Sequence, residues 1–119
     1  MTLTPETATA FAHDWIAAWN ARDLVRILGH YAEDVHVTSP IAARLTGRAD
    51  VHGKPALAAY FREGLARYPN LHFRLEHVFL GDASLVLGYA NQDGAHAAEF
   101  MRLDERGQVV RMIAHYAAA

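Results

Sequence analysis

Residues 15–40 read WIAAWNARDLVRILGHYAEDVHVTSP, and their pattern decides the fold. Aromatic and aliphatic side chains recur at helical spacing, break near residue 20, and recur again before a short strand over residues 35–39. Asp23 is a typical N-cap for the second helix, and Pro40 ends the strand because proline has no backbone N–H for a sheet ladder. The stretch therefore predicts two helices and a strand that share one apolar side.

The segments on either side extend this pattern. Thr4 or Thr7 caps the first helix. Residues 40–53 show no clean period and contain two glycines, which predicts a loop, with or without a short hairpin. Pro55 opens a third helix, which stops at Pro69. The apolar positions of the first two helices are Phe11, Trp15, Ala18, Trp19, Leu24, Ile27, Leu28 and Tyr31.

From residue 71 onward the period of the apolar side chains changes to two, which is typical of strands. Short turns such as Asp93-Gly94 separate the strands and require antiparallel neighbours. The predicted class is therefore α+β, with an antiparallel sheet and three N-terminal helices against one of its faces. The four strands of this meander are expected over residues 71–80, 84–92, 95–103 and 108–116.

Both faces of the predicted sheet are apolar. In the strand over 84–92, Leu85 and Leu87 alternate with Val86 and Gly88, whereas a sheet with one solvated face shows polar residues at every second position. Three helices can cover one face only. We therefore expect a second copy of the chain to cover the other face, giving a homodimer through the sheet.

The composition limits the other partners. The 119 residues suit a single domain over residues 1–119. There is no cysteine, as in many proteins of a reducing cytosol, and 11 Lys and Arg against 13 Asp and Glu create no strong field for nucleic acid or anionic lipid. The N-terminal residues lack the basic and apolar regions of a signal peptide. We therefore expect a cytoplasmic protein with no nucleic-acid and no membrane partner.

Three segments carry a likeness to a known family: the stretch over 15–40, HGKPALAAYFREGL over 52–65, and AAEFMRLDERGQVVRMIAHY over 97–116. They resemble the nuclear transport factor 2-like (NTF2-like) superfamily, in particular its SnoaL-like and ketosteroid isomerase-like branches. The resemblance implies a cone-shaped curved sheet, the cystatin-like or NTF2-like roll, with an apolar pocket on the concave face under the helices, and usually a dimer. This fold hosts isomerases, dehydratases, cyclases, epoxide hydrolases and binding modules, so it does not define the activity.

The ketosteroid isomerase-like branch offers three positions for comparison. Its general-base carboxylate precedes the proline after the first strand, where this chain has Ser39, which is no base near neutral pH. Its oxyanion tyrosine lies in the first helix, where this chain has Trp15, a donor that is not an acid. Its third position, an acid on the strand before the last hairpin, is matched by Glu99. This chain matches only one of the three functional positions of that branch, which argues against steroid-type isomerisation.

Glu99 is the candidate catalytic residue. It shares one face of its strand with Ala97 and Met101 and is the only charge on that face. A carboxyl group buried there has a raised pKa and can serve as acid, base or ligand anchor. The alternative is a glutamate at the pocket rim that is solvated or paired with a loop arginine such as Arg44 or Arg48.

Aromatic and polar side chains supply the expected ligand-binding set, although most aromatics of a small domain are ordinary core. The eight histidines form no HExxH motif, and we expect no metal. His77 shares the parity of Phe73 and Leu75, which predicts a buried core histidine. The expected ligand-binding residues are Trp15, Trp19, Tyr31, Val37, Ser39, Tyr60, Phe61, Met101, Met112 and Tyr116.

The functional expectation is a SnoaL-like pocket protein that binds a small, mostly apolar molecule. Acid–base isomerisation, cyclisation or dehydration through Glu99 is one use of such a pocket, and it needs no cofactor because proton transfer alone can drive these reactions. The alternative is a non-enzymatic ligand-binding or protein-association module with the same fold. Trp15 and Trp19 bear on this choice, because two indoles can fill much of a small cavity.

Overall fold

Four helices and a six-stranded sheet make up residues 3–118, the part of the chain that this computed structural model describes. The α+β class expected from the sequence is confirmed. In chain order the elements are α1 (Pro5–Asn20), α2 (Leu24–Leu28), β1 (Tyr31–Thr38), α3 (Pro40–Thr46), β2 (Asp50–His52), α4 (Lys54–Arg67), β3 (Arg74–Gly81), β4 (Ser84–Ala90), β5 (His96–Leu103) and β6 (Val109–Tyr116).

The first two helices begin at side-chain caps. Thr4 and Thr7 form a capping box, in which each backbone N–H donates to the other residue's hydroxyl, at 2.8 Å and 3.2 Å. The Asp23 carboxylate accepts from the backbone N–H of Arg26 at 3.1 Å. Both caps are as the sequence predicts. The expected helical stripe is wrong at one position, because Tyr31 is the first residue of β1 and not part of α2.

The loop predicted over 40–53 is wrong, and the helix count is four instead of three. Residues 40–46 form α3, and Asp50–His52 form β2, which pairs with β1. Ser39 explains the helix, because its hydroxyl accepts from the backbone N–H groups of Ile41 and Ala42 at 3.2 Å and 3.4 Å. Gly47 ends the helix in the left-handed region at φ 83°. Seven residues are too few to show a helical period.

The strands lie in the order β2-β1-β6-β5-β4-β3 in one curved sheet. Every neighbouring pair is antiparallel except β1 and β6, which are parallel, and this corrects the expectation of a fully antiparallel sheet. The reason is the connection, because the chain between β1 and the meander passes through α3, β2 and α4. A long crossover of this kind allows parallel pairing.

One register shift in the sheet changes the face on which His77 lies. The pairing of β3 with β4 goes from Leu75–Tyr89 directly to His77–Gly88, so Glu76 is the extra residue of a bulge. The bulge reverses the alternation, and His77 therefore lies exposed on the outer face. The predicted burial of His77 was wrong for this reason.

The helices cover the concave face of the sheet. Helix α1 packs against β3, α4 packs against β1 and β2, and α2 packs against both α1 and α4. The end of α1 is fixed by Asn20, whose amide donates to the Phe73 carbonyl at 2.8 Å and accepts from the Phe73 N–H at 2.7 Å. This pair of bonds holds Phe73 over the concave face, beside the cavity described next. None of the helices in residues 3–118 combines the length and the apolar character needed to cross a bilayer.

Candidate functional site

An inner cavity of about 70 Å³ lies between helices α1 and α4 and the concave face of the sheet. It adjoins an outer vestibule of about 540 Å³, and Tyr68, Leu71 and Tyr116 are among the residues that border both. Arg44, Asn91, Gln92 and Asp93 border the vestibule only. The inner cavity is lined by Trp15, Trp19, Ser39, Ile41, Tyr60, Phe61, Gly64, Tyr68, Leu71, Phe73, Tyr89, Glu99, Met112, Ala114 and Tyr116.

The structure brings Glu99 together with seven of the ten residues expected around a ligand. The seven are Trp15, Trp19, Ser39, Tyr60, Phe61, Met112 and Tyr116. The other three, Tyr31, Val37 and Met101, are fully buried in the core and do not border the cavity. Their side chains belong to the same hydrophobic core as Trp15, Phe61 and Met112.

Seven lining residues were not expected from the sequence. Tyr89 and Ala114 carried a usable signal, because they share strand parity with Leu87 and Met112. Ile41 fell in the segment expected to be a loop. The others, Gly64, Tyr68, Leu71 and Phe73, come from the end of α4 and the connection after it. Gly64 and Tyr68 fall on the apolar face that helical spacing predicts for this helix, and Phe73 shares the parity of Leu75, so the sequence carried a signal for these three as well.

Glu99 lies in the middle of β5, opposite Leu87 of β4 and Ala114 of β6, and its side chain is held on the concave face by this alternation. It is 4% exposed, and its Oε1 atom has no hydrogen-bond partner. Burial raises the pKa of the Glu99 carboxyl to about 8, although hydrogen bonding from the His115 backbone and the Tyr89 hydroxyl lowers it in part. Glu99 is therefore mainly protonated at neutral pH. Among residues 3–118, neither Arg44 nor Arg48 forms an ion pair with it.

The tyrosines of the site are neutral. Burial raises the pKa of the hydroxyls of Tyr60, Tyr89 and Tyr116 above the ordinary tyrosine range. With Glu99 protonated, the lining of the inner cavity carries no formal charge at neutral pH. Such a lining favours a neutral ligand over an ion, because an ion would lose its hydration without gaining a counter-charge.

Two positions that the resemblance singles out have structural partners. The Trp15 indole Nε1 donates to the Tyr31 hydroxyl at 2.9 Å, and that hydroxyl faces the Met112 sulfur at 3.4 Å. Ser39 caps α3 and lies 3.1 Å from the Tyr60 hydroxyl, with which it shares a hydrogen bond. Trp15 and Ser39 therefore use their polar atoms to hold the walls of the cavity together.

Trp19 is the contrasting case. Its ring meets the Phe61 ring edge to face, with centroids 4.8 Å apart, and its Nε1 atom has no hydrogen-bond partner. Within residues 3–118, Trp19 Nε1 and Glu99 Oε1 are the buried side-chain nitrogen and oxygen atoms that lack one. Both residues border the inner cavity.

Charged clusters elsewhere are surface networks. Asp14 contacts Arg26 and His30, and the Arg26 hydrogen bond lowers the pKa of the Asp14 carboxyl. On the outer face, Asp50 accepts from Thr38 at 2.7 Å and lies 2.8 Å from His36. In the described part of the chain no three histidine, aspartate or glutamate side chains are grouped so that they could hold a metal ion.

Comparison with known proteins supports the resemblance in the sequence. The SnoaL-like domain family matches residues 12–118. A SnoaL-like protein of unknown function from Burkholderia thailandensis is 35% identical and superposes with a TM-score of 0.92, covering 99% of this chain and 100% of that one. No functionally curated protein matches the chain.

Two more distant crystal structures share the fold. A candidate isomerase of the SnoaL-like family from Agrobacterium tumefaciens is 17% identical, with a TM-score of 0.75 over 93% of this chain and 97% of that one. An NTF2-like protein of unknown function from Burkholderia pseudomallei is 18% identical, with a TM-score of 0.71 over 92% and 90% of the two chains. The family match and the 35% identical relative over nearly the whole length show that this chain belongs to the SnoaL-like domain family.

Proposed function

We propose that this chain binds a small, neutral, mostly apolar molecule in the inner cavity, and that Glu99 exchanges a proton with it in an isomerisation, cyclisation or dehydration. The observation that carries the proposal is the buried Glu99 carboxyl, which borders an uncharged, aromatic-lined cavity and keeps one oxygen without a hydrogen-bond partner. General acid–base catalysis is most effective when the pKa of the catalytic group lies near the working pH. A pKa of about 8 for Glu99 meets that condition.

A binding module without catalysis is the second candidate, and one observation favours it. Burial raises the pKa of Tyr60, Tyr89 and Tyr116 further from neutral pH, whereas it brings the pKa of Glu99 close to neutral pH. A reaction that needs a separate acid and base would have to use this one carboxyl for both steps. One substitution distinguishes the two candidate functions. If the protein is an enzyme, Glu99→Gln abolishes turnover; if it is a binding module, Glu99→Gln changes the ligand affinity by no more than a few-fold.

Gly64 offers a direct test of the cavity. A Cβ atom at Gly64, in the helical interior of α4, would meet no atom within 4 Å, and the residue borders the inner cavity. We expect Gly64→Leu to occupy this space and to weaken binding of a neutral probe such as cyclohexanone by more than about tenfold, while the protein stays folded. Isothermal titration and NMR titration of the full chain measure this affinity.

Gly64→Ala is the matched control. It adds only the Cβ atom, and because alanine is the better helix former it raises the free energy of unfolding by about 1 kcal/mol. We expect it to bind the probe as the wild type does. If Gly64→Leu binds cyclohexanone as tightly as Gly64→Ala, the probe is not in the inner cavity and the proposed site is wrong.

We also propose that the protein works as a homodimer through the outer face of the sheet, and that it does so in the cytoplasm, as its lack of cysteine allows. Four cross-strand partners on β3, β4, β5 and β6, namely Phe79, Val86, Phe100 and Ile113, form an apolar row there. Phe79 is 60% exposed within one chain. A row of this kind on the face opposite the helices suits a self-complementary interface, because a two-fold axis brings the same side chains together.

Sedimentation at micromolar concentration tests the dimer. We expect a species of twice the 13.2 kDa chain mass for the wild type and a monomer for Phe79→Lys, whose charge is buried if the face is covered. Val25→Lys is the control, since Val25 is 83% exposed on α2, away from the sheet. A wild-type monomer, or a Phe79→Lys dimer, would refute this interface.

A further inference from the structure

Two exposed histidines border the apolar row on the outer face of the sheet. His77 and His115 each lie two residues along their strand from a member of that row. The His77 ring lies 5.8 Å from the Phe79 ring between centroids. The cross-strand partners beside the apolar row are, in order, His77, Gly88, Ala98 and His115. A second copy that covers the apolar row therefore also reaches both imidazoles.

We propose that His77 and His115 make the dimer sensitive to pH, so that mild acid separates the two copies. This inference rests on the proposed homodimer and adds its regulation. A histidine side chain gains a positive charge between about pH 5 and 8. Moving such a charge from water into a contact is unfavourable unless a carboxylate accompanies it. Dimerisation therefore favours the neutral imidazoles, and protonation favours the separate chains.

The charges around the two histidines offer them little compensation. Within residues 3–118, strands β3–β6 place one carboxylate on the outer face, that of Glu76. It contacts His96 Nδ1 at 2.8 Å and Arg74 at 3.6 Å. Among the groups that lower the pKa of Glu76, the His96 hydrogen bond is the largest and His77 is the smallest. The other outer-face cations on these strands are Arg102 and Arg111.

A two-fold axis sets further positive or protonatable groups against this pair. Two axes in the plane of the interface bring the apolar row onto the same row of a second copy. An axis parallel to the strands sets β3 against β6 of that copy, so His77 meets its His115. An axis along the row exchanges the two flanks of the row, so His115 meets the Arg111 of that copy. Acid therefore produces like-charge repulsion in either arrangement.

Two other histidines of the outer face are already matched by carboxylates. His36 Nε2 lies 2.8 Å from Asp50, and His96 Nδ1 lies 2.8 Å from Glu76. These hydrogen bonds lower the pKa of both carboxyls, so both carboxylates stay ionised in mild acid. A proton on either imidazole then completes an ion pair instead of adding an uncompensated charge. Among residues 3–118, His77 and His115 form no ion pair.

Sedimentation equilibrium of the full chain at about pH 8 and about pH 5.5, at one ionic strength, tests the inference. We expect the dissociation constant of the wild-type dimer to rise more than about tenfold at the lower pH. In the double variant His77→Gln/His115→Gln, which keeps polar side chains that do not titrate, it should change by less than about threefold. His13→Gln is the matched control, because His13 is exposed on α1, and it should respond as the wild type does.

Circular dichroism at both pH values distinguishes dissociation from unfolding. If the wild-type dissociation constant is the same at both, or if the double variant weakens as much as the wild type, the inference fails and the dimer stands. Loss of the dimer through unfolding at about pH 5.5 would also overturn it. If the wild type is a monomer at about pH 8, the proposed dimer fails and the inference fails with it.

Discussion

Replacing Glu99 with glutamine is expected to remove a pH-dependent loss of stability that amounts to about 5 kcal/mol in the wild-type protein. The pKa of this carboxyl rises from 4.5 to about 8 on folding, chiefly because it is buried. Each pH unit between the two values costs the folded state about 1.4 kcal/mol, and the whole interval gives the figure of about 5 kcal/mol. An amide at the same position has no proton to lose in this range, so its contribution does not change with pH.

The direction of the effect follows from proton counting. Above pH 4.5 the unfolded chain releases the Glu99 proton, whereas the folded protein keeps it until about pH 8. The unfolded state then binds fewer protons, so stability falls as pH rises through this window. Below the window both states are protonated and the stability is fully present. Above it both states are ionised and the loss stays constant.

Urea unfolding of both proteins at several pH values from about 4.5 to about 8.5 measures the effect. The informative quantity is the free energy of unfolding of the wild type minus that of Glu99→Gln, because other titrating groups cancel in this difference. Glu63→Gln is the control, since Glu63 is exposed on α4, and its difference from the wild type should stay flat. A flat difference for Glu99→Gln as well would mean that Glu99 ionises as a solvated glutamate does, and its proposed role would be lost.

The sequence could predict Glu99 because strand alternation is a strong signal. Ala97, Glu99 and Met101 share a parity, the hairpins on either side are short, and no bulge interrupts β5 between them. The same logic failed in β3, where the inserted Glu76 reversed the faces and exposed His77. A bulge depends on how two strands pair, so the sequence of one strand contains no direct record of it.

The cavity itself was harder to predict, because its position and size depend on how side chains from several helices and strands pack together. The expected set included Val37 and Met101, whose parity is right but which are buried in the core and do not border the cavity. Helix α3 was missed because Ser39 both follows a strand and caps a helix. The different roles of Trp15 and Trp19 could not be inferred either, since they depend on Tyr31, which the helical spacing placed on the wrong element.

Trp15→Ala is expected to lower the free energy of unfolding by about 4 kcal/mol, the second large effect. Trp15 is 1% exposed, and its ring stacks on Phe73 at 5.9 Å and packs against Tyr89 at 5.6 Å between centroids. Truncating a buried tryptophan removes this packing and leaves a cavity that the neighbours only partly fill. Urea unfolding measures the loss. Val25→Ala, at a position 83% exposed, should change stability by less than about 0.5 kcal/mol.

The hydrogen bond from Trp15 can be separated from its packing by a double-mutant cycle with Trp15→Phe and Tyr31→Phe. Both changes keep an aromatic ring, and the Trp15 Nε1 to Tyr31 hydroxyl distance of 2.9 Å lies in the buried core, so we expect a coupling of about 1 kcal/mol. Such a coupling means that the Trp15 donor is satisfied inside the protein, whereas the Trp19 Nε1 atom has no hydrogen-bond partner there. Additive changes would instead mean that the bond between the Trp15 N–H and the Tyr31 hydroxyl contributes nothing measurable to stability, and the packing of the Trp15 ring would then account for its whole effect.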